Sequence, residues 1–297
     1  MTERDKTTEL LRKVRKIEIK TRGLSRQIFA GQYHSAFKGK GMAFSEVREY
    51  QYGDDIRNID WNVTARFNHP YIKVFEEERE LTVILLIDVS GSGNFGTTTQ
   101  LKKNLITELS ALLSFSAIQN NDKIGVIFFS DHIEKFIPPK KGRQHILRII
   151  RELIDFKPES TRTNIAEALR YLTNAIKKRG TVFLISDFMD FDKSGNLNFE
   201  EALRIANNKH DVVALRVTDN REKELPSMGM VKMKDAETGE MVWVDTSDKK
   251  FRNYYSGWWS SFESKVTDTC KKAGVDNVEL LTGQDYVKPL VNLFKRR

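Results

Sequence analysis

The sequence predicts an α/β domain with a doubly wound, mainly parallel sheet. Three observations carry this. The runs Leu81–Asp88 (LTVILLID), Lys123–Phe129 (KIGVIFF) and Thr181–Ser186 (TVFLIS) are almost wholly apolar, as strands buried on both faces must be. Segments of helical periodicity separate them. Strand and helix alternate along most of the chain, the pattern of a layered α/β sheet.

The elements follow in order. Residues 4–22 place Leu10, Leu11, Val14, Ile17 and Ile19 at near-helical spacing with basic residues between them, an amphipathic helix expected to pack on the body. A membrane-surface helix is the rival, but Trp and Phe are missing from its apolar face. Residues 23–70 read as irregular, and Tyr71–Glu77 as extended. After the first buried strand, Gln100–Gln119 is helical, with Leu101, Leu105, Leu109, Leu112, Leu113 and Ile118 as its stripe. After the second comes a short edge strand, Ile133–Ile137, ended by Pro138-Pro139. Helices are expected at Gln144–Phe156 and at Asn164–Lys178, the latter running into Gly180. Beyond the third strand lie a helix at Phe199–Asn208, strands at Val212–Val217 and Asn277–Leu281, and a closing helix at Tyr286–Phe294. An insertion at about 225–246 holds two alternating runs around Glu237-Thr-Gly-Glu240, a hairpin. A long helix at 248–273 carries Tyr254, Tyr255, Trp258, Trp259 and Phe262, expected to be mainly core. The expected division is 1–80, packed on the body, and 81–297.

Composition narrows the class. Of 297 residues, 39% are hydrophobic and 30% charged, which excludes a disordered or collagen-like chain. One cysteine, Cys270, excludes an internal disulfide and a multi-Cys zinc site, and is expected to be an inert thiol. No apolar run is long enough for a membrane span, and the charged N-terminus lacks a signal-peptide core. A cytoplasmic protein is expected. The net charge of +8 hints at nucleic acid. However, residues 1–26 hold nine Lys/Arg against four acids and the chain ends in Lys295-Arg296-Arg297, so the body between is neutral. No nucleic-acid partner is expected, and binding through the basic ends stays an alternative.

Ligands of an open α/β sheet bind beyond the carboxyl ends of its strands. Asp88-Val89-Ser90-Gly91-Ser92 follows the first buried strand and Asp187 follows the third. Thr161-Arg162-Thr163 precedes the 164–178 helix. These are oxygen donors only, a set suited to Mg²⁺, Mn²⁺ or Ca²⁺. With two carboxylates and neutral hydroxyls, such an ion stays electrophilic and open to one more acidic ligand.

This pattern resembles the von Willebrand factor A domain and its metal-ion-dependent adhesion site (MIDAS): Asp88, Ser90 and Ser92 match D-x-S-x-S, Thr163 the second-loop Thr, and Asp187 the third-loop Asp. Thr161 is the rival to Thr163, whose following Asn-Ile-Ala-Glu-Ala-Leu continues as the family's segment does. The resemblance covers about 81–290. It implies sheet order 3-2-1-4-5-6 with an antiparallel edge, and a partner carboxylate completing the metal. A second segment resembles the bacterial domain-of-unknown-function family 58: Gly39-Lys-Gly-Met-Ala-Phe-Ser-Glu-Val-Arg48-Glu-Tyr50, Tyr52-Gly53-Asp54-Asp55-Ile-Arg57-Asn-Ile-Asp60-Trp61, and Ala65-Arg66. That resemblance implies a partner or adaptor of a MoxR-type AAA+ ATPase, or of its client, in assembly or activation of other proteins. Physically, Arg48, Arg57 and Arg66 beside Glu49, Asp54, Asp55 and Asp60 suggest a buried ion-pair network clamping the segment to the sheet. A partner-binding surface is the second reading.

Competing motifs are weaker. Gly91-Ser-Gly93-Asn-Phe-Gly96 is a literal G-x-G-x-x-G, but Asp88 would repel a pyrophosphate and the ribose-binding acid is missing. Thr97 stands where a P-loop needs Lys. None of His34, His69, His132, His145 and His210 is expected beyond a central strand's carboxyl end, and Ser90 lacks the G-x-S-x-G elbow. Asp122 and Asp131 are expected to be turn residues. The chain is therefore expected to be no enzyme, with a metal-dependent hydrolase as the alternative.

Overall fold

The computed structural model describes residues 12, 14–21, 43–76, 81–96, 101–192 and 194–297. The chain forms two units, Phe37–Leu81 and the remainder. In the smaller unit, β1 (Ala43–Glu49) pairs antiparallel with β2 (Tyr71–Glu76). Between them, helix Trp61–Phe67 is capped by Asp60, whose carboxylate accepts from the Asn62 and Val63 amides, and is ended by Asn68 in the left-handed region. Reading 23–70 as irregular therefore missed a strand and a helix. The helix is seven residues long, too short for periodicity to reveal. The expected buried ion-pair network is also corrected. Arg48 forks onto Asp54 at 2.8 and 2.9 Å, and Arg57 meets Asp55 at 3.3 Å, both near solvent. Asp60 faces Lys73 at 3.5 Å. Gly39–Gly41 lies outside the described residues.

In the larger unit, the strands are β3 (Thr82–Asp88), β4 (Lys123–Phe129), β5 (Ile133–Lys140), β6 (Thr181–Ser186) and β7 (Asp211–Thr218). After these come a separate hairpin, β8 (Met230–Lys234) with β9 (Met241–Asp245), and finally β10 (Asp276–Leu281). The sheet runs β10-β7-β6-β3-β4-β5, parallel throughout except for β4–β5. Counted in sheet strands alone this is 3-2-1-4-5-6 with an antiparallel edge, the von Willebrand factor A-like arrangement.

Successive side chains of a strand point to opposite faces, so each central strand feeds two cores. Ile84, Leu86, Ile127, Phe129, Val182 and Leu184 pack with the helices Ile165–Ala175, Glu200–Lys209 and Lys249–Lys272. The other face takes helices Lys102–Gln119, Arg143–Asp155 and Val287–Lys295; there Phe128 stacks on Phe156 at 4.8 Å and Phe183 meets Phe294 edge-on at 6.3 Å. Trp259 and Phe262 are core, whereas Tyr254 and Trp258 are exposed. Cys270 is fully buried, and burial pushes its thiol up to about 11.

Three expectations change in detail. The N-terminal helix is described over 14–21, and its buried side is Val14, Glu18 and Thr21, with Ile19 in solvent. Glu18 meets Arg143 at 2.7 Å, and Lys20 meets Glu108 at 2.6 Å. Leu10 and Leu11 lie outside the described residues. The helix before β6 ends at Ala175, so Gly180 is no helix terminator; a Cβ there would stand 2.5 Å from the Thr82 carbonyl, a close strand approach. Finally, β5 runs through Pro138-Pro139 to Lys140, which an edge strand tolerates.

Gly125 of β4 accommodates those prolines. A Cβ there would lie 2.9 Å from the Pro139 nitrogen and 3.0 Å from the Ile137 carbonyl oxygen. Gly125→Ala is expected to destabilise the fold by about 1–3 kcal/mol through overpacking, read as a lower urea midpoint with an unchanged slope.

Candidate functional site

The parallel register brings the ends of β3 and β6 together. Ile87 pairs with Ile185, so Asp88 lies beside Ser186, and Asp187 is one residue farther on. The Ser186 hydroxyl donates to Asp88 Oδ2 at 2.6 Å, and the Ser90 amide donates to Asp88 Oδ1 at 3.0 Å. Beyond the strand the chain turns into a short 3-10 helix, Gly91–Asn94, where the Ser90 and Ser92 hydroxyls lie 3.2 Å apart. Past β6, the Phe188 amide donates to Ser186 Oγ at 2.9 Å. Phe188 itself is buried with φ 65°, a left-handed conformation that costs a bulky residue energy and turns the chain sharply after Asp187.

Both carboxylates are buried, Asp88 to 6% and Asp187 to 4% exposure. Burial, then the charge of Asp187, pushes the Asp88 carboxyl up to about 6. Burial acts upward on Asp187 too, but Lys102, the Ser92 hydroxyl and the Met189 amide together outweigh it and hold that carboxyl below its ordinary value. Lys102 Nζ donates to Asp187 Oδ2 at 3.0 Å and meets Glu222 Oε1 at 2.5 Å, with its side chain 2% exposed. Burial alone would lower the lysine; its two carboxylate partners raise it instead.

The third loop completes the rim. The Gly91 amide donates to the Thr161 carbonyl at 2.9 Å, and the Asn164 amide to the Ser130 carbonyl at 2.9 Å. Asn164 caps the following helix through the Glu167 amide, and buried Asp190 accepts from the Ile165 amide at 2.7 Å. Of the two threonines weighed from sequence, Thr161 Oγ1 donates to the Glu237 carbonyl at 2.6 Å. Thr163 Oγ1 is buried and makes no hydrogen bond of normal geometry. The Glu237 carboxyl feels it only as a partly stabilising neighbour.

Asp88, Ser90, Ser92, Thr163 and Asp187 thus come from three loops at one rim of the sheet. Two buried carboxylates, two paired hydroxyls and a buried Thr163 hydroxyl with no hydrogen bond of normal geometry form an all-oxygen set that fits a hard cation. Four participants went unseen in the sequence. Lys102 left a signal, since it shares the helical stripe of Leu105, Ile106 and Leu109, where an unpaired lysine is not expected. Ser186 closes an apolar strand, and its role depends on register. Glu222 and Glu237 reach the site only through the tertiary fold.

One exclusion is corrected. His132 does follow a central strand, in the turn beyond β4. It is 47% exposed; its Nδ1 lies 2.9 Å from Asp131, and its Nε2 lies 3.8 and 3.9 Å from Glu134 and Glu159. The ligand atoms of His132, Glu134 and Glu159 lie within 4.8 Å of one another, a second group able to hold a metal. Glu134 Oε1 already accepts from Ser130 Oγ at 2.7 Å and from the Glu159 and Ser160 amides.

Residues 46–260 match the protein family of unknown function DUF58. The chain belongs to the DUF58 family. An uncharacterized protein of Mycobacterium tuberculosis, Rv1480, is 30% identical over 272 residues, covering 91% of this DUF58 chain and 84% of that protein. Among solved structures, an aerotolerance-related membrane protein from Bacteroides fragilis has a TM-score of 0.51 at 14% identity, over 73% of this chain and 97% of its own; that likeness speaks to the fold alone. Proximal thread matrix protein 1 of the mussel byssus, solved with a zinc-occupied MIDAS motif, has a TM-score of 0.36 at 17% identity, over 46% of this chain and 38% of its own. Among the described residues of the DUF58 chain, no helix is long and apolar enough to cross a membrane.

Two expectations follow. Lys102→Met strips the ammonium from two buried carboxylates and is expected to cost roughly 3–5 kcal/mol in chemical denaturation. A carboxyl whose folded pKa lies above its unfolded value binds its proton more tightly when folded. The Asp88 contribution therefore grows as pH falls through about 6 toward the carboxyl's ordinary value of 3.8 and is lost as pH rises through 6. Asp88→Asn is expected to flatten the stability profile of the metal-free protein in that window, measured by urea unfolding at a series of pH values.

Proposed function

We propose that this DUF58 chain is a non-enzymatic, metal-dependent protein-interaction module. In this reading Asp88, Ser90, Ser92, Thr163 and Asp187 hold Mg²⁺, or Mn²⁺ or Ca²⁺. When bound, the ion supplies a Lewis-acidic position that attracts an acidic side chain. The residues do the rest. Asp88 and Asp187 provide the charge, and Ser186 and the Ser90 amide fix the orientation of Asp88. Lys102 restrains Asp187 and neutralises part of its charge, which keeps the ion electron-poor toward an incoming carboxylate.

The observation that carries the reading is the orphaned Thr163 hydroxyl at a rim where two carboxylates are buried together. A group that a partner or water does not satisfy is costly, and a cation answers all three needs at once. Without an ion, two carboxylates would confront a third and repel it. That makes binding switchable by the metal. Family resemblance supports a MoxR-type AAA+ ATPase or its client as the partner, and the single cysteine, Cys270, suits a reducing compartment such as the cytoplasm.

The test is a pull-down of the purified MoxR-type ATPase with the full chain, in Mg²⁺ and in EDTA. Capture is expected in Mg²⁺ only and is lost in Asp88→Ala, with circular dichroism unchanged. Capture that survives both EDTA and the substitution sinks the metal-dependent reading.

A further inference from the structure

The hairpin β8–β9 is anchored at both ends. At its base, the Met228 amide donates to Thr246 Oγ1 at 2.9 Å, and the Thr246 amide and hydroxyl donate to the Gly229 carbonyl at 2.9 and 2.8 Å. Arg252 of the long helix adds a bond to the Thr246 carbonyl at 2.5 Å. At its tip, Asp235 Oδ1 accepts from the Glu237 and Thr238 amides at 2.9 and 2.7 Å, and Gly239 takes φ 74° to close the turn. One side of the tip lies against the rim. The Thr161 hydroxyl donates to the Glu237 carbonyl at 2.6 Å. The Ala236 carbonyl oxygen lies where a Cβ on Gly91 would come within 2.2 Å, so only glycine leaves room for it there. Two of the three metal-site loops therefore touch the hairpin tip directly.

Within the turn 235–240, every residue is exposed except Glu237. Glu237 is half-buried at the rim, where its carboxyl meets the Thr163 hydroxyl and feels the charges of Asp187 and Asp88. A glutamate held against two buried aspartates is electrostatically unfavourable unless a cation lies among them.

We infer that Glu237 is the site's own acidic ligand, delivered in cis by the hairpin tip, and that a partner carboxylate reaches the metal only by displacing it. This rests on the metal-site reading above and adds its regulation. The hairpin suits such a role. A lone two-stranded ribbon is marginally stable, and this one keeps Met230, Met241, Val242 and Trp243 in solvent. Its hold on the rim is the Thr161 bond and the Glu237 carboxylate, both of which a competitor can replace.

Mn²⁺ binding to the full chain, followed by water-proton relaxation, tests this because the signal grows with each water on the ion. Wild type is expected to give a low enhancement that acetate leaves unchanged. Glu237→Ala and the isosteric Glu237→Gln are expected to bind Mn²⁺ about 10-fold more weakly. They should also show a higher enhancement that acetate brings back down. Equal enhancement and equal acetate response in wild type and both variants overturn the in-cis ligand. Asp88→Ala separates the two readings. Its loss of Mn²⁺ binding upholds the metal site whatever Glu237 does, and its undiminished binding overturns the site and the inference together.

Discussion

The structure depends on two negative charges held out of water at neighbouring strand ends. A parallel register makes Asp88 and Asp187 neighbours, and the surrounding cores exclude solvent from both. Isolated buried carboxylates are costly, so the rim around them consists of compensation. Ser186 and the Ser90 amide satisfy Asp88, while Lys102 answers Asp187 and is itself balanced by Glu222. The short helix Asn220–Lys223 carries Glu222 under a capping box with Asp219, so even this outer partner is fixed in place.

The same compensation explains the strain nearby. Phe188 is forced into a left-handed turn, and Asp190, itself buried, is committed to the first amide of the helix Ile165–Ala175. That bond and the Asn164 cap fix the start of the helix and with it the loop that presents Thr163. The arrangement concentrates rigidity where three loops meet, and among the described residues it leaves the buried Thr163 hydroxyl without a hydrogen bond of normal geometry. Under the proposed reading, a site prepared in this way would lose little entropy on taking up an ion.

Much of the fold was legible because buried parallel strands have an unmistakable composition. LTVILLID and TVFLIS read directly as strands, and the order of the sheet followed from the family resemblance carried by Asp88, Ser90 and Ser92. In the smaller unit β2 was legible as an extended run, whereas β1 and the helix were not, because they are short and their polar neighbours serve as caps and local pairs. Legibility in the site divided the same way. Residues in a local motif were visible, and Lys102 was visible in principle as a charge on an apolar stripe. Ser186, Glu222 and Glu237 act across long sequence separations, which no periodicity encodes. His132 was misplaced because the turn after β4 is only three residues long, so a residue just ahead of the edge strand stands beyond the end of a central one.

The prolines in β5 have a consequence of a different kind. An outermost strand normally offers a row of unpaired amides that another chain can extend. Pro138 and Pro139 lack amide hydrogens, and the bulge where Gly125 admits them breaks the regular spacing of that row. The edge is thereby unreadable as a template, and the sheet stops at six strands. A strand approaching from this side finds the row of amides broken off at Pro138 and Pro139.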